Sequence, residues 1–311
     1  MKIVVIGTFP ESTQIHIRQS FPSDWRICIV APAAADAVLS DADVVIPEHI
    51  SVDRLFLEKA PRLKLVQTGS GYDNVDVEAC TKRNIYVCNA AGINATAVAE
   101  HVMALILCWY KNIAYLDSFM KSRGKESELN YSGGELAGKT IGIIGLGNVG
   151  RTLANYCKAF GMTVLGYSHK PLDVPGVEQV ELDQLYTLSD IVSVHVPLLP
   201  STRHMIDSET FSRMKPSAIL VNTARWAIVN EVDLVEALRK QEIAGACLDV
   251  YEQEPISENS PLRALPNVIL TPHTAGLPDS VRFHQKRFDF FRENIIKVMN
   301  KEKPDSALNE L

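Results

Sequence analysis

The stretch from Gly138 to Ser168 constrains the fold more than any other part of the chain. An apolar run, Thr140-Ile141-Gly142-Ile143-Ile144, leads into Gly145-Leu146-Gly147-Asn148-Val149-Gly150. A helix-like segment follows from Arg151 to Phe160, closed by Gly161, and then a second apolar run from Met162 to Tyr167. The order is strand, tight turn, helix, strand. With 17 glycines in 311 residues, a G-x-G-x-x-G spacing says little by itself. Between a strand and a helix, inside a unit of about thirty residues, it specifies a dinucleotide-binding turn. Gly145 permits the turn, Gly147 lets the backbone approach a pyrophosphate, and Gly150 lets the helix lie close to the sheet. The free N–H groups of the first helical turn, at Asn148 and Val149, then face the phosphate oxygens. The plain alternative is an ordinary glycine-rich turn between a strand and a helix.

An acid about twenty residues downstream usually binds the ribose diol of NAD. Here the second strand ends Gly166-Tyr167-Ser168-His169-Lys170-Pro171, with no carboxylate at its end. A hydroxyl, an imidazole and an ammonium suit a 2′-phosphate, which a carboxylate would repel. NADP(H) is therefore expected to be preferred, with NAD(H) as the second option. In the competing reading Ser168 bonds the ribose and Lys170 simply faces solvent.

Apolar runs with little alternation recur on both sides of this unit. Residues 2–6, 26–30, 43–46, 63–67 and 85–88 read as one set of strands. Residues 140–144, 163–167, 191–195, 218–222, 243–248 and 268–271 read as a second set of six. Such runs belong to parallel sheets covered on both faces. The expected class is α/β, with two doubly wound parallel-sheet domains, the second a Rossmann dinucleotide-binding domain. A chain of this length, 46% hydrophobic, can bury two cores.

The net charge of −6 comes from 37 acidic and 31 basic residues that are well mixed, which argues against a nucleic-acid partner. Six scattered cysteines without a C-x-x-C fit a reducing compartment, and no metal site is expected. The opening residues read as a strand, not a signal peptide. The most apolar helical stretch, Val98 to Tyr110, contains Glu100 and His101 and is too short to span a bilayer. A cytoplasmic protein without a membrane partner is expected.

The helix that begins near Thr96 is apolar around nearly its whole girth up to Trp109, so it is expected to be buried between domains or in a subunit interface. Glu100 and His101 are adjacent and point in different directions, which favours a structural role. The polar stretch from Lys111 to Gly134 reads as an arm or linker. A helix over Asn230–Lys240 carries an Asn cap and early acids. A long helix from about Ser280 to Lys301 ends the fold, and Lys303 to Ser306 read as loop.

Polar groups cluster at strand ends, where open α/β sheets bind ligands. Gln67 to Asp76 follows a strand, and its Gly69-Ser70-Gly71 core offers successive amides as an anion nest, or simply a turn. Asn222-Thr223-Ala224-Arg225, Asp249 to Glu254, and Thr271-Pro272-His273 follow three strands of the second set. Hydride attack on a carbonyl creates an alkoxide, which calls for a proton donor and a positive group. His273 is the natural donor, with a carboxylate to orient it. Each residue also has an ordinary reading: Arg225 in a sheet-end ion pair, Glu254 as a solvated loop acid, His273 at the core edge.

These motifs together resemble the D-isomer-specific 2-hydroxyacid dehydrogenase family over essentially the whole chain, from Gly69–Asp76 through Val98–His101 and the glycine turn to Pro272-His273. The resemblance implies that Arg225 binds the substrate carboxylate and polarises its carbonyl. Glu254, directly before Pro255, would pair with the acid-base His273, and Glu252 does not stand at that place. Ser70 and Gly71 would hold the carboxylate through their backbone. Asp249 would lie near the nicotinamide ribose, with Pro197, Thr202, Asn222 and Thr223 around the cofactor. The implied division is a flavodoxin-like substrate-binding domain, residues 1–100 with 283–311, and a cofactor domain, residues 101–282, that closes with it over the site. A homodimer through the cofactor domain is also implied.

The implied activity is hydride transfer from NADPH or NADH to a small 2-oxo acid, such as glyoxylate or hydroxypyruvate, to give a D-2-hydroxy acid. Two other readings stay open: a nucleotide-sensing, corepressor-like protein, and a phosphite-type dehydrogenase. Formate is disfavoured by Glu254, where formate dehydrogenases carry a glutamine. Two departures stand out. Trp226 follows the arginine where the family has glycine, and it either walls the substrate pocket or faces a loop. Lys111 stands where arginine is common.

Overall fold

The computed structural model describes residues 1–48, 50–122, 125–129, 131–276 and 281–311. The chain divides into two compact units, Met1–Asn94 with Pro278–Leu311, and Ala95–Leu277. Among the described residues the strands of the first unit are β1 (Lys2–Ile6), β2 (Arg26–Val30), β3 (Val44–Pro47), β4 (Leu65–Gln67) and β5 (Tyr86–Cys88). Those of the second are β6 (Thr140–Ile144), β7 (Thr163–Tyr167), β8 (Glu178–Gln179), β9 (Ile191–Val194), β10 (Ile219–Asn222), β11 (Gly245–Leu248) and β12 (Val268–Leu270). The helices are α1 (Glu11–Gln19), α2 (Arg54–Lys59), α3 (Val77–Lys82), α4 (Ala95–Tyr110), α5 (Ile113–Lys121), α6 (Asn148–Ala159), α7 (Leu182–Leu188), α8 (Ser208–Arg213), α9 (Glu231–Lys240) and α10 (Val281–Met299).

The first sheet is parallel throughout, in the order β2-β1-β3-β4-β5. This is the flavodoxin-like doubly wound order. The central strands β1, β3 and β4 are buried at every residue, whereas the edge strand β2 is partly exposed. Two short helices are started by aspartate caps: Asp53 accepts from the Phe56 amide at 2.9 Å and Asp76 from the Ala79 amide at 2.8 Å. The far end of the chain completes this unit. Phe288, Phe291 and Ile295 of α10 are buried against Ile3, Val5, Val44, Ile46 and Leu65. Asn309 then holds β5, accepting from the Val87 amide and donating to the Ile85 carbonyl, each at 2.9 Å. The expected helix start at Ser280 lies outside the described residues.

The second sheet is parallel in the order β12-β11-β10-β9-β6-β7-β8. The chain winds outward from β6 in one direction to β8, then restarts at β9 on the other side. That reversal between β6 and β9 is the switch point of a Rossmann fold. Six strands were expected and seven are present among the described residues. The extra strand, β8, is two exposed residues paired with Leu165 and Gly166 of β7, too short and too polar to leave an apolar pattern.

Helix α4 packs within this unit. Val98, Ala99, Val102, Met103 and Ile106 share a buried cluster with Ile141, Ile143, Leu153 and Val221. Trp109 lies so close over β11 that a Cβ on Gly245 would come within 2.0 Å of its ring. The stretch read as an arm holds α5, none of whose residues is buried, and a single 3-10 turn at Glu126–Glu128. Among the described residues no helix is long and apolar enough to cross a membrane.

Asp190, at the head of β9, ties the middle of this sheet. Its carboxylate accepts from the Thr140 amide at 2.8 Å and from Lys215 Nζ at 2.9 Å. Burial alone would raise its pKa; the Thr140 amide and the Lys215 ammonium outweigh burial and hold it below the ordinary value. A depressed folded pKa means stabilisation that is present above the unfolded pKa and lost as pH falls through the folded one. Replacing Asp190 by Ala is expected to cost about 1–3 kcal/mol at neutral pH. In urea melts the gap between wild type and variant should shrink below about pH 4.

Candidate active site

The glycine turn leaves β6 with Gly145 at φ +103°, a conformation that glycine adopts without steric cost. Its amide donates to the Tyr167 carbonyl at 2.9 Å, and a Cβ there would meet the His195 carbonyl oxygen at 2.6 Å. Gly150 brings α6 against the turn, and a Cβ on it would lie 2.1 Å from the Gly145 carbonyl oxygen. Gly147 caps α6 with no side-chain hydrogen bond. A Cβ built on Gly147 would find no atom within 4 Å, so the ground beside the helix start is open. Nearby in sequence to Asn222, Thr223 Oγ1 is buried without a hydrogen-bond partner. An open, side-chain-free helix start and an orphaned hydroxyl after β10, two strands away in the same sheet, fit a bound dinucleotide.

Ser168, His169 and Lys170 follow β7, next to β6 in the sheet, and the last two are exposed. Pro197 and Thr202 follow β9, on the other side of β6. The Thr202 hydroxyl accepts from the Leu199 amide at 2.8 Å and donates to the Pro197 carbonyl at 2.7 Å. It therefore shapes the loop instead of reaching out of it. His195, not singled out by sequence, hydrogen-bonds Ser193 Oγ at 2.8 Å through Nε2. Burial pushes its imidazole down to about 4, so it is neutral at physiological pH. The signal was available in the sequence, because residues two apart on a strand share a face.

At the end of β10, Asn222 donates to the Arg225 carbonyl and accepts from the Ala224 amide, both at 3.1 Å, and so bends the chain that presents Arg225. The Arg225 guanidinium donates to the Ala224 carbonyl at 2.7 Å through one Nη. Trp226 packs under the Arg203 guanidinium, 5.7 Å from the ring centre, and so faces the loop after β9.

Asp249 ends β11 with no exposed surface. Oδ1 accepts from Thr271 Oγ1 at 2.6 Å and from the Thr274 amide at 2.9 Å, and Oδ2 accepts from the Ala275 amide at 2.9 Å. His101 of α4 lies 3.0 Å from Thr271 Oγ1 through Nε2 and so joins the same network. Both Asp249 oxygens are thus committed to the loop that follows β12.

That loop carries His273, whose φ of +53° is unusual for a residue with a side chain. His273 Nδ1 lies 2.6 Å from Glu254 Oε2, and Glu254 Oε1 accepts from the Tyr251 amide at 3.1 Å. The backbone amide of Glu252 donates to Glu231 Oε2 at 3.2 Å. With Nδ1 occupied, Nε2 is the nitrogen left to exchange a proton with a reacting group. Arg225, Glu254 and His273 follow β10, β11 and β12, three neighbouring strands of one sheet.

In the first unit, Ser70 and Gly71 follow β4. Ser70 Oγ donates to Asn94 Oδ1 at 2.8 Å, and the Ser70 carbonyl accepts from Asn89 Nδ2 at 3.3 Å. Among the described residues neither the Ser70 nor the Gly71 amide has a hydrogen-bond partner, as an anion nest requires.

A family model described as D-isomer specific 2-hydroxyacid dehydrogenase, NAD binding domain, matches residues 103–275. The chain is 40% identical over 270 residues to a glyoxylate reductase of Thermococcus litoralis, covering 83% of this chain and 81% of the relative. It is also 40% identical over 278 residues to a D-3-phosphoglycerate dehydrogenase of Methanocaldococcus jannaschii, covering 87% of this chain and 52% of that longer protein. Among solved structures, an acyclic imino acid reductase, Bsp5, in complex with NADPH and D-Arg superposes with a TM-score of 0.87. The match is at 31% identity over 99% of this chain and all of the other.

The contact between Gly150 and the Gly145 carbonyl makes the turn sensitive to a single methyl group. The variant Gly150→Ala is expected to lose at least about tenfold in dinucleotide affinity by calorimetry, while its far-UV circular dichroism stays that of the wild type.

Proposed function

Because the chain belongs to the D-isomer-specific 2-hydroxyacid dehydrogenase family, we propose that it reduces a small 2-oxo acid such as glyoxylate or hydroxypyruvate to the D-2-hydroxy acid, with NADPH preferred over NADH. The observation that carries the reading is the 2.6 Å contact between His273 Nδ1 and Glu254, which commits Nδ1 and leaves Nε2 for proton exchange. When bound, a reduced nicotinamide supplies the hydride that attacks the carbonyl carbon. His273 gives the proton from Nε2 to the carbonyl oxygen, and takes one back in the oxidative direction. Arg225 places its positive charge at the carbonyl oxygen and the neighbouring carboxylate. The amides of Ser70 and Gly71 are assigned to anion binding, and the first unit to substrate binding.

The NADPH preference is supported by Ser168, His169 and Lys170, which offer a 2′-phosphate a hydroxyl and two basic groups. A homodimer through the second unit is supported by α5, which buries no residue and exposes Ile113, Tyr115 and Met120.

The test is loss of reduced-nicotinamide absorbance with NADPH and with NADH, against glyoxylate, hydroxypyruvate, pyruvate and 3-phosphohydroxypyruvate. Equal KM values for the two cofactors would refute the cofactor preference. His273→Ala should lower kcat by about 10²–10⁴-fold without weakening cofactor binding, and retention of most activity would refute the assignment. Light scattering after gel filtration should give twice the chain mass, falling to a single chain in Met120→Lys.

A further inference from the structure

The loop after β7 is held in an unusual way. Residues 168–173 make no backbone-to-backbone hydrogen bond among the described residues. Their hydrogen bonds run through one side chain, that of Gln179 on β8. Gln179 Nε2 donates to the Ser168 carbonyl at 3.2 Å and to the Lys170 carbonyl at 3.1 Å, and Oε1 accepts from the Leu172 amide at 2.9 Å. One primary amide thus uses both donors and its acceptor on three backbone groups of a single short loop. Gln179 is placed to do so by the pairing of its strand with β7, which sets it opposite Gly166.

We infer that Gln179 is the positioning residue for cofactor selection, because it holds Ser168, His169 and Lys170 in the arrangement that receives a 2′-phosphate. The inference rests on those three residues being the phosphate's partners. Gln179 acts through the loop and not by contact with the cofactor. A multidentate anion is bound tightly only when its donors are held together beforehand, since ordering them on binding costs affinity. A loop with no ladder bonds of its own lacks that order without the clip. NADH has no 2′-phosphate and places no such demand on the loop. The clip therefore acts on the difference between the two cofactors more than on either chemistry or fold.

The experiment is calorimetric titration of wild type, Gln179→Met and Lys170→Ala with NADPH, NADH, 2′,5′-ADP and 5′-AMP, alongside melting temperatures and amide exchange over residues 168–172. Methionine keeps the length of the side chain and removes all three hydrogen bonds. The expected result is that wild type prefers the 2′-phosphorylated member of each pair. Gln179→Met should raise the Kd of NADPH and 2′,5′-ADP by about five- to tenfold and those of NADH and 5′-AMP by less than about twofold. Loop amides should exchange faster while the melting temperature holds. If Lys170→Ala loses the preference and Gln179→Met keeps it, the inference is overturned and the cofactor reading survives. If wild type does not distinguish the pairs, the cofactor reading fails and the inference with it. Equal weakening of all four ligands together with a lower melting temperature would mean that Gln179 only supports the fold, and would also overturn it.

Discussion

Asp249 has no exposed surface, and both of its oxygens accept hydrogen bonds from the residues on either side of His273. A carboxylate so placed would cost several kcal/mol if left without donors. The Thr271 hydroxyl and the Thr274 and Ala275 amides offset that cost, and in doing so they fix the path of the chain. His273 sits on this path in a left-handed backbone conformation, which for a residue with a Cβ costs on the order of 1–3 kcal/mol and persists only where the surroundings over-determine it. The buried charge supplies that over-determination. The imidazole then needs one further constraint, the direction of its ring, and Glu254 provides it.

The same logic of fixed frame and exposed tip runs along the whole carboxyl edge of the second sheet. Asn222 turns the chain at Arg225, the Thr202 hydroxyl closes the loop after β9, and Gly145 and Gly150 close the turn after β6. Groups meant to hold shape are saturated with local hydrogen bonds. Among the described residues, Thr223 Oγ1 and the ground beside Gly147 are by contrast left without protein partners. A preorganised site is built this way because nothing then has to be reordered when charge develops.

Much of this was legible in the sequence, for reasons that differ from element to element. Strands buried on both faces write themselves as unbroken apolar runs, so β1, β6 and β7 begin and end where their sequences suggest. The glycine turn is legible because a Cβ on Gly145 or Gly150 would come within 2.6 or 2.1 Å of a backbone oxygen. Glu254 and His273 are legible as chemical types at strand ends, though their 2.6 Å contact is not. What stayed hidden depends on tertiary placement. β8 has two exposed polar residues and therefore no periodicity, and Gln179 carries no signal until that strand is paired. Asp249 reads as a ligand-facing acid until its three donors, from a segment more than twenty residues away, are seen around it. The contact of Trp226 with Arg203 is likewise tertiary and has no trace in the sequence.

The first unit is made of two pieces of chain, and Asn309 holds β5 from near the far end. On a ribosome the order of events follows from that threading. The second unit is contiguous and has its described strands once residue 277 has emerged, whereas the first has its five strands early but lacks α10 and the Asn309 clamp until residues 281–309 have followed. For that interval Ile3, Val5, Ile46 and Leu65 have no Phe288 or Phe291 to cover them. The nascent chain thus carries an uncovered sheet face at its leading end while its trailing part is already folded. Exposed apolar strands of this kind are what chaperones bind and what aggregates nucleate on, so the unit built from two pieces of chain is the one that stays vulnerable longer.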